Sequence, residues 1–176
     1  MSSWTTEYLR VTAFPFEKFE IPEVSWWTVL TAEPPETRTL KPREGSLIEE
    51  GRFNQGTLKL TVQPNKIDWN YHPAEPHNFT EGFSNLGAFQ DALDIFVPLM
   101  IRWLNEMSPK LARLAVGVAL LQEVEDNKTG YEMLGRYLPS VKIDPIGSSD
   151  FFYRINRPRK SNLAMPGLKI NRLSTW

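Results

Sequence analysis

Polar and apolar residues alternate most regularly over residues 56–63. Leu58, Leu60 and Val62 fall on one side, and Thr57, Lys59, Thr61 and Gln63 on the other. That period of two marks a half-buried antiparallel strand. Pro64-Asn65 supplies a turn and Ile67, Trp69 and Tyr71 resume the alternation, so residues 56–71 predict a hairpin. Upstream, Tyr8, Leu9, Val11 and Phe14 place a strand at 7–14. The run from Val24 to Leu30 is rich in β-branched and aromatic residues and reads as another, ended by Pro34-Pro35. Residues 37–41 and 46–53 read as short strands separated by Pro42 and Gly45. The first third of the chain is therefore a meander of about four to six strands.

After a Pro-, His-, Gly- and Asn-bearing loop at 72–85, the period changes. Leu86, Phe89, Leu93, Phe96, Met100 and Leu104 recur at helical spacing, with Ser84 or Asn85 as the expected cap. Pro98 lies inside this pattern, which continues to Met107, so it predicts a kink rather than an end. Ser108-Pro109 stops the helix. Residues 111–124 are dense in Leu, Val and Ala and read as a long central strand, with helix as the alternative. Asp126-Asn127-Lys128 reads as a turn. Thr129 and Glu132 have capping-box spacing, placing a short helix at about 130–138, ended by Pro139. Residues 151–156 and 167–173 read as an antiparallel strand pair joined by a long connection. The fold class that follows is α+β: an antiparallel sheet, an N-terminal meander, packed against one long helix, with a short second helix and a C-terminal strand pair. Residues 1–176 suit a single domain. The final run reads as a strand met by the terminus, so Trp176 is either a packed end or the edge of a longer or processed product.

Composition changes this picture in two places. Aromatics are 12% of residues and include six Trp, so large side chains offset a lean hydrophobic content of 41%. There is no cysteine, which excludes disulfides, thiolate metal sites and cysteine nucleophiles. The start of the chain shows no basic-then-apolar leader, and no apolar run approaches the ~20 residues that cross a bilayer. A cytoplasmic protein without membrane contact is the expectation.

Charge is segregated. Residues 150–176 carry six bases and one acid, whereas residues 1–149 hold the remaining 14 bases and 20 acids, so the overall net of −1 conceals a cationic tail. Within that tail Arg154-Ile155-Asn156-Arg157 returns as Lys169-Ile170-Asn171-Arg172.

Candidate chemistry is sparse. His72 and His77, with Glu75 between them, are too few and too loosely spaced for a zinc site, and a surface loop explains them better. Glu49, Glu50, Glu123, Glu125 and Asp126 read as solvated acids at strand ends rather than a catalytic pair. No nucleophile elbow and no phosphate-binding glycine loop is present. No catalytic residue, metal or cofactor is therefore assigned. Trp26 and Trp27 would point to opposite faces of one strand; burial of both in the core is favoured, with one exposed as a partner anchor the alternative. The mixture of aromatics with Arg154, Arg157, Arg159, Lys160 and Arg172 suits three roles. These are pairing with the acidic body, contact with another protein, and phosphate contact with base stacking on nucleic acid. The first two are favoured over the third.

The hairpin ending Ile67-Asp68-Trp69-Asn70, the following helix, the 111–124 run and the two Ile-Asn-Arg segments together resemble a sporadically distributed family of uncharacterised bacterial proteins, usually longer than this chain. The resemblance implies no catalytic residue and no cofactor. Its scattered distribution implies accessory cargo of toxin–antitoxin or phage-defence type. The expectation is thus a non-catalytic protein-interaction module, with Trp26, Trp27, Arg154, Arg157, Arg159, Lys160 and Arg172 as contact residues. Another protein is the expected partner, nucleic acid the alternative, and self-association is open. An enzyme using His72, His77 and nearby acids is the least favoured reading.

Overall fold

The structure is a computed structural model that describes residues 4–74, 82–161 and 167–176. It divides into two compact units, residues 1–122 and residues 123–176. The fold is α+β, as expected: a six-stranded antiparallel sheet with a long helix, then a second helix and a two-stranded antiparallel ribbon.

In the first unit the strands are β1 (Thr5–Pro15), β2 (Thr37–Lys41), β3 (Ser46–Phe53), β4 (Gly56–Gln63), β5 (Lys66–Pro73) and β6 (Leu111–Leu121). Their order in the sheet is β2-β3-β4-β5-β1-β6. The predicted hairpin is β4–β5, in register from Gly56↔Pro73 to Gln63↔Lys66. β1 lies between β5 and β6 and is antiparallel to both, so β5 and β6 run in the same direction. Parallel strands require a long crossover, and helix α2 (Phe89–Glu106) lies within that connection. β6 is therefore an edge strand, a correction to its expected central place.

One face of the sheet builds the core. Leu9, Val11 and Ala13 of β1 oppose Tyr71, Trp69 and Ile67 of β5, which oppose Leu58, Leu60 and Val62 of β4. Ala92, Phe96, Met100 and Trp103 of α2 close over it, with Trp69 and Trp103 meeting edge-on at 6.0 Å. Helix α2 passes Pro98 without ending, as the apolar period requires. Its N-cap is Ala88, with no side-chain cap, rather than Ser84 or Asn85. Leu86 instead continues outside the helix, fully buried, with its N–H donating to Thr6 O at 2.7 Å.

The run at 24–30 is a second correction. Residues Trp26–Thr31 form a helical turn and a half, α1, capped by Ser25, whose Oγ accepts from Thr28 N–H at 3.0 Å. β-Propensity loses here to the Ser cap and to burial of Trp26, Trp27 and Leu30 on one helical side.

The second unit contains helix α3 (Asn127–Tyr137) and strands β7 (Arg154–Lys160) and β8 (Lys169–Thr175). The expected turn at 126–128 is the start of α3. Asp126 is its cap, accepting from Thr129 N–H at 2.7 Å, in place of the expected Thr129. Tyr137 of α3 stacks on Trp176 at 5.7 Å, and Tyr131 meets Phe151 edge-on at 6.5 Å.

Candidate binding surfaces

Trp26 and Trp27 are core residues. Trp26 is 6% exposed and Trp27 1%. Trp26 lies edge-on to Trp103 at 5.7 Å. Trp27 covers Gly51, where an added Cβ would lie 3.1 Å from its ring, and its Nε1–H donates to Leu58 O at 3.1 Å. Neither side chain reaches the surface as an anchor, which corrects that expectation. The signal that separates the two cases is Ser25 ahead of the pair, a helix cap rather than a strand start.

Glu49, expected to be solvated, is the second buried surprise. Strand parity puts it on the core face opposite Leu60, and it is fully buried. Ser25 Oγ–H donates to its Oε2 at 3.0 Å, and Arg38 Nε lies 3.1 Å from its Oε1. That ion pair leaves Oε1 without an aligned hydrogen bond. Glu49 thus ties the α1 cap to β2 and β3.

On the opposite face, Asp68 gathers donors. Arg10 donates through Nε at 3.0 Å and Nη2 at 2.8 Å, Thr12 through its hydroxyl at 2.5 Å, and Lys66 Nζ lies 2.8 Å from Oδ2. Burial pushes the Asp68 carboxyl up, but the bonds from Lys66, Thr12 and Arg10, with the Arg10 charge, outweigh it and hold the carboxyl below the usual range. Among the described residues this is a satisfied cross-strand network around one acid, with the Thr12 hydroxyl engaged as a donor to it. Sequence reading missed it because its members come from strands far apart in the chain.

His72 lies in β5 opposite Thr57, and its Nδ1 is 2.9 Å from Pro73 O. Glu75 and His77 lie outside the described residues. Among the described residues no three His, Asp or Glu side chains converge on a metal-sized site. A shallow depression lined by Pro15–Phe19, Pro109 and Lys110 holds no catalytic set, and Lys110 Nζ stands 5.3 Å over the Phe16 ring.

The cationic tail is better organised than its sequence suggests. β7 and β8 pair from Arg154↔Thr175 to Lys160↔Lys169. The strands begin about two to three residues later than expected, so Arg159 and Lys160 belong to β7 rather than to a connection. The two Ile-Asn-Arg copies run in opposite directions and meet only at their last residue, Arg157 opposite Arg172. Facing residues share a side of the ribbon. Arg157, Arg172 and Arg159 therefore lie on one side, flanked by Ile155 and Ile170, while Lys160 and Lys169 face each other on the reverse.

One end of the ribbon is anchored by the Tyr153–Trp176 pair, which exchanges backbone bonds at 3.0 and 2.9 Å, and by half-buried Ile155 and Ser174. The other end is exposed from Asn156 to Lys160 and from Lys169 to Leu173 and carries Arg157, Arg159, Lys160, Lys169 and Arg172 with no acid. None of these five, nor Arg154, is in an ion pair with a described residue of the second unit.

Comparison of the chain with protein-family models, curated proteins and solved structures finds no match.

Proposed function

We propose that the protein is a non-catalytic binding module whose working surface is the exposed end of the β7–β8 ribbon, and that its partner is a nucleic-acid backbone. The observation that carries this reading is the facing pair Arg157–Arg172, with Arg159 beside it and Lys160–Lys169 behind it, none in an ion pair with a described carboxylate of its own unit. Like charges placed directly opposite destabilise a strand pair, and a polyanion removes that cost. A two-stranded ribbon also has the dimensions of a major-groove ligand. Cations drive such binding by releasing counterions, so affinity falls steeply with salt.

A second reading is contact with an acidic protein, in an antitoxin, immunity-type or phage-defence setting such as the bacterial resemblance implies. It is favoured by Leu168, Ile170 and Leu173, which are 41–51% exposed among the cations. Arginine set among apolar side chains is common at protein hot spots.

Titration of labelled single- and double-stranded DNA and RNA tests the first reading. With about five cations engaged, affinity should drop on the order of 10²–10³-fold between 50 and 200 mM salt. Arg157→Glu with Arg172→Glu should abolish binding while the far-ultraviolet spectrum is kept. Absence of salt-dependent binding to all four ligands would remove the nucleic-acid reading and leave the acidic-protein one.

A further inference from the structure

The two edges of the six-stranded sheet are unlike. β2 is five residues long, carries Arg38 and Lys41, and is bracketed by Pro35 and Pro42. Short length, charge and proline are the devices by which natural sheets discourage further pairing. β6 has little of this beyond one register irregularity at its start, opposite Phe14 and Pro15. It runs eleven residues, Leu-Ala-Arg-Leu-Ala-Val-Gly-Val-Ala-Leu-Leu, with no proline and a single charge. That charge, Arg113, stands 4.9 Å over the Phe14 ring of its own neighbour strand. It lies on the side of the sheet away from the core, because Phe14 alternates with Leu9, Val11 and Ala13.

The core side of β6 is apolar and is not covered by the rest of the first unit. Register places Leu114, Val116 and Val118 beside Ala13, Val11 and Leu9. Those three β1 residues are buried, yet Leu114 is 44% exposed, Val116 73% and Val118 44%. The hydrophobic face of the sheet thus continues one strand beyond what is buried in this unit.

We infer that β6 pairs antiparallel with β6 of a second copy of this chain, about a two-fold axis at Val116, joining two sheets into one of twelve strands. The sequence of β6 is self-complementary about its own midpoint. Val116 would face itself and Leu114 would face Val118, all apolar and on the core side. On the reverse side the small residues Ala115 and Gly117 would face each other, and Arg113 would face Ala119, so no like charges meet. An axis at the midpoint also gives the longest overlap, whereas displacement toward Leu114 sets Lys110 against Val118. An isologous contact must match its own surface in this way, and an unrelated strand would need no such symmetry.

The chain contains no cysteine, so a single introduced thiol reports the contact directly. Facing Cβ atoms lie about 4.5–5.5 Å apart, close to disulfide range. Light scattering with size exclusion should give twice the 20.3 kDa chain mass for the wild type. Val116→Lys, at a side chain already exposed, should leave the circular dichroism unchanged. It should raise the dimer dissociation constant on the order of 100-fold through self-apposed charge. Val116→Cys should oxidise to a covalent dimer far faster than Glu106→Cys. Leu114→Glu with Val118→Lys should restore opposite charges across the pair and retain the dimer. A wild type that is monomeric at millimolar concentration would overturn the inference. A dimer indifferent to Val116→Lys, with no excess cross-linking at 116, would overturn it equally.

Discussion

Glu49 shows how a residue's surroundings depend on strand parity more than on its type. It sits one position from Glu50, which meets Lys59 at 2.6 Å on the wetter face, yet Glu49 itself is fully buried. Arg38 is half exposed but is the sole cation in ion-pair range of Glu49 among the described residues. Arg38→Ala should lower the stability of the first unit by about 3 kcal/mol in urea denaturation, the low end for an orphaned buried charge. A change under about 1 kcal/mol would mean that Ser25 alone satisfies the carboxylate. Asp68 gives a pH signature. Its carboxyl is held below the unfolded-chain value of about 3.9, so the unfolded chain takes up the proton first. Its contribution is present above about pH 4 and is lost as pH falls through the lower folded-state value. Asp68→Asn should flatten acid denaturation in that window, and an unchanged acid limb would contradict the assignment. Neither acid was recognisable as buried from the sequence. Both are polar residues inside alternating runs, and register alone decides which face they take.

At the scale of elements, strong local patterns carried through. The alternation over 56–71 gave the β4–β5 hairpin, and the 3.6-residue period gave α2 across Pro98. The tightness of the hairpin makes a prediction. A Cβ at Gly56 would lie 2.5 Å from His72 O and 2.6 Å from the Leu86 side chain. Gly56→Ala should cost about 2–3 kcal/mol, readable as a lowered urea midpoint with an unchanged slope. A neutral result would show that the β5 end and Leu86 yield freely. Local preference misleads where it meets a longer-range demand. Trp26 and Trp27 have strand propensity, but Ser25 and the pocket over Gly51 favour a helix. β6 was readable as a strand, yet its place at the edge follows from which strand it joins, which no period within residues 111–124 encodes.

For the molecule as a whole, charge segregation was legible and its geometry was not. The sequence puts six cations after residue 150, but only the ribbon register sets Arg157 against Arg172 and leaves five cations at one exposed end. A single domain was expected from length; the chain divides into two compact units, with the cations in the smaller. No helix among the described residues is long and apolar enough to cross a membrane. The most direct measurement is the salt dependence of nucleic-acid affinity for the wild type and for Arg157→Gln with Arg172→Gln. Each lost phosphate contact should reduce the log–log slope by about one, so the double variant should be shallower by about two while still folded. Equal slopes for the two proteins, or wild-type binding that ignores salt, would contradict the account.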